Sequence, residues 1–280
     1  MQHFLPRTSF LVLLTSLLLL PLQSRAEGEG LQAAPKVEVT GTDLRIILAS
    51  GRAITGAGLV GTVLALRDPS NHRIEVRIDG VQPDPMDAQG ETTLYAFSVR
   101  DPSVPGGWRN LCAPGPDGLA MGFPISGQVN DPEAPAGAGT FRLTCTSGAV
   151  GKCVRLGYKP WKLAPDGVTS LAPYHEACVR MVRADYCGDG TPHTRDGTLI
   201  NIYDRLSIQR RESRPGMQFE AAWGPHGAVC VGRVRVPELT SVDALVHTCP
   251  GKLAGKTGAT CTEETALRLG GALILNEAAR

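Results

Sequence analysis

Apolar and polar residues alternate most regularly in residues 74–79, where Ile74, Val76 and Ile78 are separated by charged residues. A period of two is typical of a strand that buries one face. Shorter apolar runs, separated by Gly, Pro, Asp and Asn, recur through residues 37–100. The pattern therefore predicts a small antiparallel β unit in this part of the chain.

A second β pattern occurs further along the chain. Apolar residues at 219–223 and 228–236 flank a Gly-Pro-His-Gly sequence at 224–227. This arrangement predicts a β-hairpin with a four-residue turn. After the hairpin, short helices are predicted near residues 242–247 and 263–269.

A helical period dominates one segment, at about residues 171–187. Residues spaced by four, three and four positions predict a buried helical face there. These residues are Tyr174, Cys178, Met181 and Asp185. His175 lies off that face and is predicted to point toward water. Ser170 and Gly188 are the predicted ends, because serine suits an N-cap and glycine a C-terminal turn. The predicted fold class is α+β, mainly antiparallel β with one central helix, disulfide-stapled and rich in loops.

The start of the chain has a different composition. Residues 10–22 are almost wholly apolar, and Ser24 and Ala26 are the small residues that a signal peptidase needs. The apolar run is shorter than the ~20 residues of a membrane-spanning helix. We therefore predict a cleaved signal peptide at 1–26, a flexible leader at 27–36, a secreted or periplasmic location, and no membrane span after cleavage.

The charge balance limits the possible partners. Lys and Arg number 28 and Asp and Glu 27, which gives a formal net charge of +1. A near-neutral chain lacks the excess of positive charge that nucleic-acid binding uses, so no nucleic-acid partner is predicted. The same balance gives no reason to expect an anionic membrane surface as the partner.

Residues 56–61 match the G-x-G-x-x-G spacing of dinucleotide-binding loops. Such a site also needs a strand before the glycines, a full helix after them and an acidic residue ~20 positions further on. The residues that follow, Thr62 to Leu64, suit a strand better than a helix. We therefore predict glycine turns here, and no cofactor.

All eight cysteines follow the predicted cleavage site. An even number of cysteines in an exported chain predicts disulfide bonds. The eight are Cys112, Cys145, Cys153, Cys178, Cys187, Cys230, Cys249 and Cys261. No C-x-x-C spacing occurs, which argues against zinc, and no metal site is predicted.

The cysteine spacing alone does not determine the pairing, but geometry restricts it. On one continuous helix, Cys178 and Cys187 would be roughly 13 Å apart at ~1.5 Å per residue. A disulfide needs Cα atoms within ~7 Å, so these two cysteines are predicted to bond to different neighbours. Cys249 and Cys261 stand apart from the others and are predicted to pair with each other.

The stretch 175–204 has the densest polar chemistry of the chain. Asp185 continues the apolar helical face, so its carboxylate is predicted to point inward, where it needs partners. We expect these partners to be backbone N–H groups of residues 188–194 or an arginine. The alternative is a catalytic or metal-binding carboxylate. In that case Asp185, His193 and Asp196 are the candidate catalytic residues.

Within this stretch, residues 183–190 are Arg-Ala-Asp-Tyr-Cys-Gly-Asp-Gly. This segment resembles the signature of the ADYC-domain family, which is named for Ala-Asp-Tyr-Cys. Other segments resemble the family in the same order. They are residues 153–161, 194–198, 219–223 and 227–230. The resemblance spans Trp108 to Arg235. It implies a bacterial, exported protein, and it supplies no established activity and no catalytic residues.

After the signal peptide and leader, the chain is predicted to contain an N-terminal β region at 37–107, an ADYC-like domain at 108–236 and a C-terminal extension at 237–280. No complete catalytic signature occurs in the sequence. The first hypothesis is therefore an exported, disulfide-stabilised binding or structural module of the cell envelope or extracellular space, with an unknown ligand. The alternative is a secreted hydrolase whose carboxylates and histidines lie in the 185–204 loop.

Overall fold

The computed structural model describes residues 36–67, 70–126 and 141–279. The predicted signal peptide at 1–26 and the leader as far as residue 35 lie outside the described residues. All described residues belong to one contiguous unit, Ala34–Arg280. The domain boundaries proposed from the sequence stay predictions.

The first sheet is a three-stranded antiparallel meander in the order β1-β2-β3. Its strands are β1 (Lys36–Thr40), β2 (Asp43–Ile47) and β3 (Ala53–Thr55). Leu44 and Ile46 share one face of β2 and are buried, as the period of two in a strand requires. Gly41, with a φ of 60°, forms the tight turn between β1 and β2.

The second sheet has the strand order β4-β5-β6-β8-β9, and β7 pairs with β6. Its strands are β4 (Val63–Arg67), β5 (Arg73–Pro83), β6 (Thr93–Arg100), β7 (Trp108–Asn110), β8 (Gly122–Ser126) and β9 (Phe141–Cys145). The strand predicted at 74–79 lies within β5, and its Val76 and Ile78 are fully buried. The predicted antiparallel β unit is confirmed, and this sheet extends it beyond residue 100. Gly56–Leu59 form a single 3-10 turn before β4, without the helix that a dinucleotide site requires.

The third sheet has the order β10-β13-β11-β12, and all of its pairs are antiparallel. Its strands are β10 (Ile200–Asp204), β11 (Met217–Gly224), β12 (Gly227–Val231) and β13 (Ile274–Ala279). The predicted hairpin is β11–β12, but its turn is shorter than predicted because Gly224 still pairs with Gly227. The sequence pattern missed β13, which lies in the interior of the sheet.

Five α-helices occur in the described residues, more than the one central helix and the two short helices near 242–247 and 263–269 that the sequence predicts. They are α1 (Ala149–Arg155), α2 (Ala172–Arg183), α3 (Val242–Thr248), α4 (Pro250–Leu253) and α5 (Glu263–Arg268). The mainly antiparallel β class is confirmed, and a single central helix is not. The predicted helix corresponds to α2, which is the longest of the five and ends before residue 187.

The buried residues form three hydrophobic clusters. One lies between α2 and the third sheet, and a second lies among the strands of the first two sheets. The third lies on the other face of the third sheet, around Tyr203 and Ala266 of α5. Consecutive residues of α1 belong to different clusters, since Cys153 packs with α2 and Val154 with the N-terminal strands. The helix α1 therefore joins the two main cores.

Two positively charged side chains, Arg155 at the end of α1 and Lys159 just after it, attach the second sheet to the helical part of the chain. Arg155 binds the buried Asp84 through two hydrogen bonds of 2.8 and 2.9 Å. Lys159, whose side chain is 4% exposed, pairs with Asp87 at 2.9 Å and Glu91 at 2.8 Å. Loss of Arg155 would leave the buried carboxylate of Asp84 without its charge partner, and loss of Lys159 would do the same for Asp87. These bonds therefore hold the loop between β5 and β6 in place.

All eight cysteines form disulfides, and none is free. The pairs are Cys112–Cys145, Cys153–Cys178, Cys187–Cys249 and Cys230–Cys261. Cys178 and Cys187 bond to different neighbours, as predicted. The predicted Cys249–Cys261 pair is wrong. Cys249 lies at the start of α4, facing the loop after α2, whereas Cys261 packs on the α5 face of the third sheet. Proximity in sequence therefore gave the wrong partner.

Candidate functional site

The Ala-Asp-Tyr-Cys segment begins where α2 ends, at Ala184. Ala184 has a left-handed backbone conformation with a φ of 50°, and its N–H bonds to the carbonyls of Arg180 and Met181. The N–H of Asp185 also donates to the Arg180 carbonyl, at 2.9 Å. Such a left-handed ending satisfies the last carbonyls of a helix and is usually formed at a glycine. The helix therefore ends four residues before the predicted Gly188.

The side chain of Asp185 organises the loop that follows. It is fully buried, and its two oxygens accept backbone N–H groups from Gly188 at 2.8 Å and Gly190 at 3.0 Å. Arg180 donates its Nη1 to the same carboxylate. Both kinds of partner expected from the sequence, loop N–H groups and an arginine, are present. The carboxylate stabilises the turn and has no exposed surface for a substrate.

Tyr186 lies in the core beneath this turn. Its ring stacks on Trp223 with a centroid distance of 5.2 Å. Its hydroxyl donates to Glu220 at 3.0 Å and accepts the backbone N–H of Arg235 at 3.1 Å. Burial, followed by the charge of Glu220, raises the pKa of Tyr186. The tyrosine is therefore a protonated hydrogen-bond donor inside the core.

Glu220 is the centre of a buried polar network. It pairs with Arg235 at 2.9 Å and accepts Nδ2 of Asn276 at 2.7 Å. The side-chain oxygen of Asn276 accepts Nε1 of Trp223 at 2.8 Å. Arg235 also donates Nη2 to the carbonyl of Met181 at 2.8 Å. The network connects β11 and β13 to the C-terminal end of α2, and each charge in it has a partner.

The next two residues attach the loop to two further elements. Cys187 forms the disulfide with Cys249. Gly188 has a φ of 74°, and a Cβ at this position would lie 1.8 Å from the carbonyl oxygen of His226. Lys252 of α4 donates its Nζ to the carbonyls of Cys187 and His226. The loop is therefore held between α4 and the β11–β12 turn, without space for a side chain at residue 188.

The other two candidate residues lie further along the loop. Nδ1 of His193 is 3.1 Å from the carbonyl oxygen of Ala184. Because a carbonyl oxygen only accepts, Nδ1 is the donor in this bond. Asp196 is exposed in a turn. Among the described residues, no hydrogen bond or ion pair joins any two of Asp185, His193 and Asp196. A catalytic role for these three residues stays a hypothesis.

His175 was predicted to be exposed but is fully buried on α2. Its Nδ1 is 2.8 Å from the carbonyl oxygen of Tyr158, while its Nε2 has no partner in the part of the chain that the structure describes. Burial lowers the pKa of His175 to about 4. The prediction failed because the segment after α1 covers a second side of α2, which a single apolar stripe does not reveal.

The buried pair Glu220–Arg235 was also missed. Glu220 is the single charge of residues 219–223, and Arg235 lies between Val234 and Val236. Because an unpaired charge is costly to bury, two such isolated charges are a signal for a buried pair. That signal was present in the sequence, although it does not identify which charges pair.

Two segments that resemble one family, residues 183–190 and 219–223, thus meet in one buried cluster. A sequence model described as the ADYC domain matches residues 56–237. The chain belongs to the ADYC-domain family. The matched residues cover the strands of the second sheet as well as the segments between Trp108 and Arg235. Comparisons with curated proteins and with solved structures found no match.

The four residues that name the ADYC domain each stabilise the fold of this chain. Ala184 ends α2, and Asp185 binds the N–H groups of the loop. Tyr186 connects the loop to the buried network, and Cys187 joins it to α4. The signature therefore describes a packed junction between a helix, a hairpin and the C-terminal region.

Three further observations concern the described chain as a whole. The four disulfides of the chain indicate an oxidising compartment outside the cytosol. Within the described residues, no three His, Cys, Asp or Glu side chains are grouped so as to hold a metal ion. None of the helices in that same part of the chain has the length and apolar character of a membrane-spanning helix.

Proposed function

We propose that this ADYC-domain protein is an exported module of the bacterial cell envelope or extracellular space, and that it acts by binding or by a structural role rather than by catalysis. The proposal depends on Asp185, whose oxygens bind two loop N–H groups and Arg180. A buried carboxylate with these partners stabilises a turn. The most characteristic segment of the family therefore stabilises the fold, and binding falls to other surfaces of the molecule.

Two observations support export. The apolar run at residues 10–22 precedes small residues at a cleavage site, as in signal peptides. All eight cysteines are paired, which is the expected state of a chain that folds in an oxidising compartment.

A secreted hydrolase that works through the 185–204 loop is the second candidate. His193 favours it, because the bond from its Nδ1 to the Ala184 carbonyl fixes the ring and leaves Nε2 as a proton acceptor. A hydrolase also needs a second group within hydrogen-bond distance of the substrate. Asp185 is fully buried and fully bonded, so it does not meet that need.

Export is tested by fusing residues 1–36 to a reporter enzyme that becomes active only after its own disulfides form. We expect an active fusion, and an inactive one when residues 10–22 are deleted. A fusion with intact residues 1–36 that remains in the cytosol and is inactive would contradict export.

Binding is distinguished from hydrolysis by incubating the purified, oxidised mature chain with isolated bacterial envelope material. We expect saturable retention on that material, equal for the wild type and the His193→Ala variant, and no release of soluble fragments. Fragment release that disappears in His193→Ala would support the hydrolase and overturn the proposal.

A further inference from the structure

The described residues form an open groove of about 620 Å³ on the α5 face of the third sheet, away from the Asp185 loop. Its walls are the first residues of β11, the residues that follow β12, and the segment 258–263. This volume lies in the range of small-molecule sites, ~300–1,000 Å³. The side chains that matter for its chemistry are Gln218, Phe219, Arg233, Ala259 and Glu263.

Part of the groove lining is apolar, and a disulfide and close backbone packing hold this lining in place. Phe219 and Ala259 contribute apolar surface, and the Cys230–Cys261 disulfide anchors one wall. Gly232 allows the two walls to approach, because a Cβ there would lie 2.9 Å from the carbonyl oxygen of Cys261. The groove is therefore formed before any ligand enters.

The charges around the groove do not cancel. Glu263 is neutralised, since it accepts Arg211 at 3.0 Å and the hydroxyl of Tyr203 at 3.1 Å. The guanidinium of Arg233, by contrast, makes one hydrogen bond within the described residues, to the neutral side-chain oxygen of Gln218 at 3.3 Å. A positive charge without a carboxylate partner therefore faces the groove.

Gln218 adds a second donor beside that charge. Its Oε1 is occupied by Arg233, which places its amide next to the guanidinium. The amide nitrogen has no hydrogen-bond acceptor in the described part of the chain. Two N–H donors in a groove that is also lined by Phe219 suit a carboxylate attached to an apolar group, because ionised acceptors form the stronger hydrogen bonds.

We propose that this groove binds a small organic carboxylate with an apolar body. Arg233 and the amide of Gln218 hold the carboxylate, and Phe219 packs against the apolar body. This assignment rests on the proposed binding function and gives it a location and a ligand class. It uses none of the residues of the Ala-Asp-Tyr-Cys segment.

The test is an NMR titration of the ¹⁵N-labelled, oxidised mature chain with N-acetylphenylalanine and with its neutral amide. The two probes differ in charge and share the same ring. We expect the amide resonances of Gly232, Ala259 and Glu263 to shift, and the carboxylate to bind at least ~10-fold more tightly than the amide, as for a hydrogen bond to a charged group. Equal affinities, or shifts confined to other regions, would overturn the proposal.

Variants then test the assigned residues. Arg233→Gln should reduce the affinity for the carboxylate to that for the amide, while Arg52→Gln, at an exposed arginine near the first sheet, should change neither. Gln218→Leu keeps the charge and removes the second donor, so it should weaken carboxylate binding by about threefold. Gln218→Leu also tests the groove assignment if Arg233→Gln does not fold. Carboxylate binding that survives both changes would refute the assignment.

The envelope-retention assay distinguishes a failure of the groove assignment from a failure of the proposed binding function. Wild-type retention on envelope material that is equal in Arg233→Gln would leave the binding function standing and remove the groove as its site. Absence of wild-type retention would remove the proposed function itself.

Discussion

Asp185 carries a negative charge into a fully buried position at the end of α2. Burial of a carboxylate is costly unless hydrogen bonds and an opposite charge replace its water. The N–H groups of Gly188 and Gly190, together with Arg180, replace that water completely. At the scale of single residues, the stability of the loop therefore depends on this side chain more than on any exposed acid nearby.

We expect Asp185→Ala to lower the free energy of unfolding by about 3 kcal/mol, because it removes the carboxylate that two half-buried loop N–H groups and a partly buried arginine share. Chemical denaturation with the disulfides intact measures the change. Asp189→Ala is the matched control, since Asp189 is exposed and its bonds are local to Thr191. It should cost less than about 1 kcal/mol. Equal losses in the two variants would contradict a special role for Asp185.

His175 predicts a pH dependence of stability. Burial lowers the pKa of His175 from 6.5 to about 4 in the folded chain. The folded state therefore binds a proton less readily than the unfolded state. The contribution of neutral His175 to the free energy of unfolding is therefore complete above pH 6.5. It is lost as the pH falls toward 4, by about 3 kcal/mol in total.

Unfolding measured between pH 7 and pH 4 tests this dependence. His175→Asn keeps a donor for the Tyr158 carbonyl and removes the titration, so the stability of this variant should fall less steeply with acid. His247→Asn, at an exposed position of α3, should keep the wild-type slope. An unchanged slope in His175→Asn would refute the assignment.

At the scale of elements, the β11–β12 hairpin turn packs directly on the backbone of the Asp185 loop. Gly188 and Gly190 both have positive φ, of 74° and 92°. A Cβ at Gly188 would lie 1.8 Å from the His226 carbonyl oxygen, whereas a Cβ at Gly190 meets no atom within 4 Å. Substitutions at the two glycines therefore distinguish the cost of backbone strain, which both share, from the cost of a steric clash with the hairpin, which only Gly188 has.

Gly190→Ala should cost about 1 kcal/mol, the usual penalty of a left-handed alanine. Gly188→Ala should cost more than about 3 kcal/mol, because the strain is the same and the hairpin must also move. Differential scanning calorimetry of the two variants measures the difference. Similar melting temperatures would mean that the hairpin and the loop are not in contact in solution.

The same elements show what the sequence pattern can and cannot predict. β5 was predicted because its charged residues alternate with residues of the core, so local pattern and burial agree. β13 was missed because Asn276 and Glu277 interrupt its apolar run, yet both are buried by partners distant in sequence. Asp185 was predicted to be buried, but the partners of Cys249 and Cys261 were not predictable, because they depend on how the third sheet is assembled.

At the scale of the whole molecule, the C-terminal region is part of the structure that the ADYC domain needs. The family match ends at residue 237. Beyond it, β13 lies between β10 and β11 in the third sheet. Cys249 and Cys261 close the disulfides of Cys187 and Cys230. The sequence division at 236/237 therefore separates strands and cysteines that the folded chain keeps together.

A chain that ends at residue 237 is accordingly expected not to fold. It would leave the strands β10 and β11 without the strand between them, and Cys187 and Cys230 without their partners. Thiol titration should find two reactive sulfhydryls, and circular dichroism should show no cooperative unfolding transition. A chain of residues 34–280, which keeps the whole contiguous unit, should retain four disulfides and a cooperative transition. Cooperative unfolding of the shortened chain would mean that the matched region folds alone and that residues 238–280 are an addition to it.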